Sequence, residues 1–253
     1  MISIVICSRN KIIDPLLYQN IQETIGLPFD LVYIDNSDNQ YDIFEAYNLG
    51  VQKSQHNIIC FMHDDILYKT NHWGKLVLSH FNNTNIGAIG VAGTPYVSAM
   101  PGTWWSSKLV AQNIIQEGKS DTHYYKTDSN KVFTENNNKV PVALLDGVWL
   151  CVRKSLFDQI QFDQLNYQGF HMYDMDISMQ IQALGFELAS VYDIDIVHQS
   201  IGKLNANWIT NRLAFYKKWK HQLPFAILPY SFMDKMLFEY RNLISFLKIK
   251  WKQ

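Results

Sequence analysis

The sequence predicts an α/β protein built on a mixed, mostly parallel sheet flanked by helices, with a helical C-terminal segment, and three observations carry that expectation. Over roughly the first ninety residues, short β-branched runs alternate with segments of helical period. Each run ends in polar residues or glycine, as strands do where a ligand crevice opens at their carboxyl ends. The chain has 253 residues, 47% of them hydrophobic and 18% charged, which is enough apolar material for one large domain or two halves sharing a sheet.

The strands are expected at Ile2 to Cys7, Leu31 to Asp35, Asn57 to Met62 and Ile86 to Val91. A helix spans Tyr41 to Ser54. Another follows Thr70 as N-cap and sets Trp73, Leu76, Val77, His80 and Phe81 along one buried face. From Thr94 to Lys139 the periodicity fades into Ser, Thr, Asn, Gly and Lys, which reads as a long functional loop region or a small insertion. Regular structure resumes from Val140 to Val152, followed by a helix opening near Asp174 and stopping at Gly185, and a strand through Val191 to Val197. Beyond Ser200 the chain turns helical and aromatic, with Trp208, Arg212, Phe215 and Trp219 on one face and a last segment from Ser231 to Gln253.

Charge and cysteine content exclude several classes. With 22 basic and 23 acidic residues the net charge is −1, so nothing in the balance attracts nucleic acid. Cys7, Cys60 and Cys151 are odd in number and sit in apolar runs, which favours buried thiols in a reducing compartment over a disulfide framework. Met1 to Cys7 lacks a basic n-region and reads as a first strand, not a signal peptide. No apolar run approaches the ~20 residues that cross a bilayer.

Polar residues cluster at the expected strand ends. Asp35 closes the second strand, where a carboxylate can accept hydrogen bonds from a base or ribose, or form an Asx-turn or helix cap. His63, Asp64 and Asp65 follow the third. Adjacent carboxylates repel unless a hard cation lies between them and a diphosphate; the plain alternative is a solvated acidic turn.

Taken in order, Ile6-Cys-Ser-Arg9, Tyr33-Ile-Asp35-Asn-Ser37, Ala46-Tyr-Asn48-Leu-Gly50 and Phe61-Met-His63-Asp-Asp65 resemble the donor half of family 2 glycosyltransferases. Leu145-Asp146-Gly147-Val148-Trp149 and Phe170-His171-Met-Tyr173-Asp174-Met-Asp176 resemble that family's acceptor loop and base segment. The subgroup with a His-x-Tyr-Asp-x-Asp segment and a Gly-Val-Ala-Gly stretch, here Gly90 to Gly93, looks most similar.

The resemblance implies a GT-A, Rossmann-like fold over residues 1–200, divided into a nucleotide-sugar-binding half (1–93) and an acceptor half (94–200), with 201–253 as a C-terminal helical extension. It implies an inverting, metal-assisted transferase that moves a sugar from a UDP- or GDP-linked donor to a glycan or lipid-linked acceptor in bacterial polysaccharide biosynthesis. By that alignment Ser8, Arg9, Asp35, Asn48, Asp64 and Asp65 serve the donor, and His63, Asp65 and His198 hold Mn²⁺ or Mg²⁺. Asp174 is the catalytic base. Gly147, Trp149, His171, Tyr173 and Asp176 face the acceptor, and Trp104 and Trp105 can stack on a sugar, since pyranose C–H surfaces pack on aromatic rings. Two positions depart from the family pattern: His63 replaces the first carboxylate of the usual DXD motif, and Tyr173 replaces the Glu that often precedes the base.

The residue types suit such chemistry, because one carboxylate deprotonates the attacking hydroxyl while a cation stabilises the leaving diphosphate. The residues alone also allow helix capping by Asp174 and Asp176, an ordinary strand-end His198, and core packing by Trp104 and Trp105. A non-catalytic sugar-nucleotide-binding or scaffold protein is the alternative. A nucleotidyltransferase is disfavoured, since Cys7-Ser-Arg-Asn10 lacks a glycine-rich, lysine-containing phosphate loop.

The last segment mixes Phe232, Met236, Tyr240, Ile244 and Leu247 with Lys235, Arg241, Lys248, Lys250 and Lys252. Such a helix lies on anionic lipid, placing a cytoplasmic protein peripherally on the inner membrane surface, or packs on the domain with its lysines complementing the dipole.

Overall fold

The computed structural model describes residues 1–117, 122–124, 138–199 and 205–251, with the backbone alone at 116–117 and 122–124. The first half runs β1 (Ile2–Ser8), α1 (Pro15–Thr24), β2 (Phe29–Asp35), α2 (Ile43–Lys53), β3 (Ile58–Met62), β4 (Ile66–Tyr68), α3 (Trp73–His80) and β5 (Ile86–Gly90). Short strands follow: β6 (Ala92–Thr94), β7 (Tyr96–Val97), β8 (Ala111–Gln112), β9 (Ile114–Glu117), β10 (Thr122–Tyr124), β11 (Lys139–Val142) and β12 (Leu144–Leu145). Then come β13 (Trp149–Arg153), α4 (Tyr173–Ala183), β14 (Glu187–Val191), β15 (Ile196–His198), α5 (Ala206–Trp219), β16 (Phe225–Ala226) and α6 (Phe232–Lys250).

Seven strands form the central sheet in the order β11-β14-β5-β13-β3-β1-β2. The pairs β1–β2, β1–β3 and β5–β14 are parallel, whereas β13 runs against both β3 and β5 and β11 runs against β14. Alternation along each strand feeds two cores, one per sheet face. In β1, Ile2, Ile4 and Ile6 join α1 and α3 on one side, while Val5 joins α2 on the other. In β3, Phe61 packs among Tyr47, Phe157 and Phe162. The four strands expected in the first half appear within two residues of their expected limits.

Local rules explain the first-half helices, with one correction. Asp42 and Glu45 form a reciprocal capping box on α2, and Asp14 caps α1 ahead of Pro15. Helix α3 buries Trp73, Val77 and His80 as its spacing requires. Its N-cap position is His72, in the left-handed region at φ 60° and without a side-chain cap bond; Thr70 Oγ1 instead accepts from Asp195 N at 2.8 Å. A threonine two residues early was recruited by the residue that precedes a distant strand.

The second half departs further from the sequence pattern. Val140 to Val152 is three strands, because the chain leaves the central sheet at Ala143 to pair β12 with β6. Gly93 permits that pairing: a Cβ there would lie 2.2 Å from the Leu144 carbonyl oxygen. The expected strand through Val191 to Val197 is also broken. β14 belongs to the central sheet, whereas β15 sits in a second sheet ordered β10-β9-β15-β4. The stretch after Thr94 carries β7 to β10, although residues 118–121 and 125–137 of it lie outside the described residues. The same holds for Lys252 and Gln253.

The C-terminal helices are part of the body. Trp208, Phe215 and Trp219 of α5 and Phe246 of α6 are buried in one core. Asp176 in α4 ties α5 down: its carboxylate accepts from Tyr167 Oη (3.0 Å), Trp219 Nε1 (2.7 Å), Gln180 Nε2 (2.7 Å) and Lys218 Nζ (2.8 Å). Asp176→Ala strands these donors. A loss of about 3 kcal/mol is expected, the low end for breaking a buried pair because Lys218 keeps part of its exposure. Urea melts check this, and a change under about 1 kcal/mol would remove Asp176 from the frame of the fold.

Candidate active site at the carboxyl edge of the sheet

The carboxyl ends of β1, β2 and β3 open on one edge, and the polar residues expected there are present. Ser8 ends β1 and is buried; its hydroxyl donates to Asp64 Oδ2 and accepts from Asn10 N at 3.0 Å. Arg9 follows and is exposed. Asp35 ends β2, also exposed, and its Oδ1 accepts from Ser37 N at 2.9 Å in an Asx-turn that lowers its pKa. Asn48 bridges α2 to a later segment, donating to the Phe162 carbonyl at 2.8 Å and accepting from Phe162 N at 3.0 Å.

Beyond β3 three residues distant in sequence converge. β15 pairs antiparallel with β4, setting His198 opposite Ile66, and Gln199 N donates to Asp65 O at 3.0 Å. His198 Nε2 thereby stands 3.4 Å from Asp65 Oδ1, and His63 Nδ1 stands 3.9 Å from the same oxygen. One ligand atom from each of His63, Asp65 and His198 falls within 4.8 Å of the others. Burial lowers the His63 pKa, outweighing the pull of Asp65, so the ring is held neutral and able to offer a lone pair.

The base segment joins this cluster through a neighbouring residue. Tyr173 is the first residue of α4, and its hydroxyl lies 3.0 Å from His63 Nε2. The next residue, Asp174, accepts from Gly147 N at 3.0 Å and from Met175 N at 2.8 Å. Burial, with Asp146 as the second cause, pushes the Asp174 carboxyl up to about 7. Gly147 is required here, since a Cβ would sit 2.2 Å from the Tyr173 hydroxyl. Asp146 Oδ1 accepts from Val148 N at 3.0 Å, and its Oδ2 accepts from Trp104 Nε1 at 3.0 Å. Trp105 stands edge-on to Trp104 and is exposed. Asp146 is the residue that spacing did not single out, although it lies inside a recognisable segment; a carboxylate just before a glycine at a strand break was the available signal.

Three residues expected to face an acceptor are turned into the body of the protein. Trp149 is fully buried in β13, packed edge-on against Trp73 and donating from Nε1 to Tyr68 Oη at 2.8 Å. Alternation along β13 sends it into the core. Asp176 is 1% exposed and committed to α5, as described above. Tyr173 is buried too, and its hydroxyl serves His63. His171 is partly buried, and burial lowers its pKa.

A clamp supports the Trp104 loop. Arg212 of α5 donates to the carbonyls of Gly102 (3.0 Å), Met100 (3.1 Å) and Ser98 (3.3 Å). Glu239 of α6 accepts from Tyr96 Oη (2.6 Å), Ser98 Oγ (2.8 Å), Ala99 N (3.1 Å) and Met100 N (2.8 Å). Neither residue has a local sequence signature.

A mixed sheet with acidic residues and histidines at its carboxyl edge is the architecture of GT-A glycosyltransferases. The chain has the fold of GalNAc-T7, solved with UDP, GalNAc and Mn²⁺ (TM-score 0.56, 13% identity, 98% of this chain and 56% of that one). It is equally similar to the mannosyltransferase PcManGT of Pyrobaculum calidifontis, solved with GDP-Man and Mn²⁺ (0.58, 10%, 99% and 74%), and to S. aureus TarS 1-349 (0.54, 11%, 99% and 72%). Residues 3–219 match the Glycosyltransferase like family, and the chain belongs to it. The streptomycin biosynthesis protein StrF of Streptomyces griseus is 25% identical over 190 residues, covering 72% of this chain and 62% of StrF. The chain thus spans about three fifths of that curated relative.

Proposed function

We propose that the protein transfers a sugar from a nucleoside-diphosphate donor to a hydroxyl acceptor with inversion, using Asp174 as general base. The observation that carries this reading is the pairing of two adjacent residues at the start of α4. Tyr173 reaches His63 of the three-residue cluster, and Asp174 holds a carboxylate with its pKa raised to about 7. A base of that pKa is half ionised near neutrality and strong enough to take a hydroxyl proton.

His63, Asp65 and His198 fit a divalent cation by donor type and spacing. Two imidazoles beside one carboxylate favour Mn²⁺ over Mg²⁺, and Mn²⁺ is the ion in the GalNAc-T7 and PcManGT structures. When bound, the cation would neutralise charge on the departing diphosphate. Ser8, Arg9, Asp35 and Asp64 line the same edge and are proposed to hold the nucleoside and diphosphate, with residues 1–93 as the donor half. Trp105 and the Asp146–Gly147 turn are proposed to seat the acceptor in the half from 94 to 200. In the transfer the acceptor oxygen bonds to the anomeric carbon as the bond from that carbon to the diphosphate oxygen breaks. The hydroxyl proton passes to Asp174 and then to solvent.

A thermal-shift panel of UDP- and GDP-sugars with Mn²⁺ or Mg²⁺, followed by transfer assays on glycan and lipid-linked acceptors, tests the reading. Donor binding that depends on the cation and leads to turnover is expected; binding without turnover on any acceptor, or release of pyrophosphate from a nucleoside triphosphate and a sugar phosphate, would reject it. Tyr173→Phe tests the link to His63. Loss of this outer hydroxyl is expected to weaken Mn²⁺ binding by about 10–100-fold, read by calorimetry in the absence of acceptor. Equal affinity in the variant would leave the hydroxyl without a part in positioning His63.

A further inference from the structure

Helix α6 has two apolar faces. Phe238, Asn242 and Phe246 turn inward, while Met233, Met236, Tyr240, Leu243, Leu247 and Trp251 are 75, 55, 61, 37, 42 and 90% exposed. Their spacing of three or four residues gathers them into one stripe, about 27 Å long at the helical rise. A continuous exposed apolar stripe marks a contact surface.

Charge indicates what it contacts. Every charged residue between Tyr240 and Trp251 is basic: Arg241, Lys248 and Lys250. The helix's two carboxylates are engaged elsewhere, Glu239 with the segment from Tyr96 to Met100 and Asp234 with Ser231 at the N-cap. A second copy of the chain is the poorer occupant. A stripe of about 27 by 10 Å offers roughly 300 Å², well short of the ~800 Å² per partner in a stable interface. A bilayer needs no shaped partner, because an amphipathic helix sinks its apolar face into the headgroup boundary while flanking lysines meet anionic headgroups.

We propose that α6 lies on an anionic lipid surface with the Met233–Trp251 stripe facing the bilayer. The same helix grips the chain on both sides of the tryptophans, before them through Glu239 and after them through Arg241 Nη1, which donates to Ser107 O at 3.1 Å. Docking therefore ties the segment that carries Trp105 to the membrane-bound helix. Resting on the transferase reading, this placement suits an acceptor carried on a lipid.

Co-sedimentation with phosphatidylcholine vesicles, with and without phosphatidylglycerol, tests docking without donor or acceptor, so its failure and that of the transferase reading are distinguishable. Binding is expected to the anionic vesicles and to fall as salt is raised. Lys248→Gln and Lys250→Gln should each weaken it about fivefold, and Leu247→Glu should abolish it. These side chains are exposed, so melting temperatures should hold; where one does not, quenching of Trp251 by brominated lipid, assigned with Trp251→Phe, gives the same information in the otherwise unaltered chain. Equal partition onto neutral and anionic vesicles, absence of binding to both, or a dimer in light scattering that Leu247→Glu converts to monomer would each overturn the proposal.

Discussion

Asp174→Asn is expected to lower the transfer rate by about 10²–10⁴-fold while leaving donor affinity unchanged. The amide cannot take the hydroxyl proton, yet its oxygen still accepts one of the two backbone bonds that Gly147 and Met175 supply. In the wild type the rate should rise with pH through about 7, where the carboxyl ionises, and that rise should vanish in the variant. Stability runs the opposite way. A carboxyl whose folded pKa is raised contributes stability at acid pH, which is lost as pH rises through the folded value of about 7. Between about pH 5 and pH 8 the stability difference should therefore shift in favour of the Asn variant. Melting temperatures of both proteins across that range measure it. An Asp174→Asn enzyme with full turnover would dismiss Asp174 as the base.

Asp65→Ala is expected to remove cation-dependent donor binding. Asp65 Oδ1 is the carboxylate oxygen that both imidazoles approach, 3.4 Å from His198 and 3.9 Å from His63, so its loss takes the carboxylate out of the three-residue cluster. Outer-sphere changes already cost about 10–100-fold in metal affinity, so direct loss should exceed about 100-fold. In the wild type, Mn²⁺ at 100 times its dissociation constant should stabilise the fold by about 2.7 kcal/mol, and in the variant it should do almost nothing. His198→Ala should follow the same pattern to a smaller degree. If Mn²⁺ protected wild type and Asp65→Ala equally, the cation site would lie elsewhere.

The two variants separate the halves of the site, because one should bind donor without transferring and the other should fail to bind it. Their roles meet at Tyr173. The two positions at which the sequence resemblance expects a departure from the family pattern, Tyr173 and His63, touch each other. A tyrosine hydroxyl beside an imidazole is a neutral bond, whereas a carboxylate beside a carboxylate would be repulsive. The two departures are thus physically consistent with each other.

Much of the candidate site's strand edge was legible in the order of residues. Period-two burial fixes which side chains of β1 and β3 enter the core, and a strand must end where its polar residues begin, so Ser8, Asp35 and His63 could be assigned to one edge without coordinates. The Asp42–Glu45 capping box and the buried stripe of α3 are likewise local. The C-terminal helix was open between packing on the domain and lying on lipid. It packs through Phe238 and Phe246 and leaves an opposite apolar face exposed, since a helix buries only the face that meets a neighbour.

Tertiary structure alone decided the rest. His198 reaches Asp65 because β15 leaves the line of β14 and pairs with β4, a switch of sheet that no periodicity encodes. Trp149 and Asp176 have the residue types of a sugar site and were drawn into the interior, one by the alternation of β13 and the other by four donors from α4, α5 and the loop before them. Asp146 matters because folding brings its charge up to Asp174. Sequence by itself determined the strands of the first half, the edge they open on and the residue types that stand there, because strand period and turn chemistry act over a few residues. Only the tertiary structure decided which of those residues meet, because a contact between distant positions depends on sheet order and register, and both are properties of the whole chain.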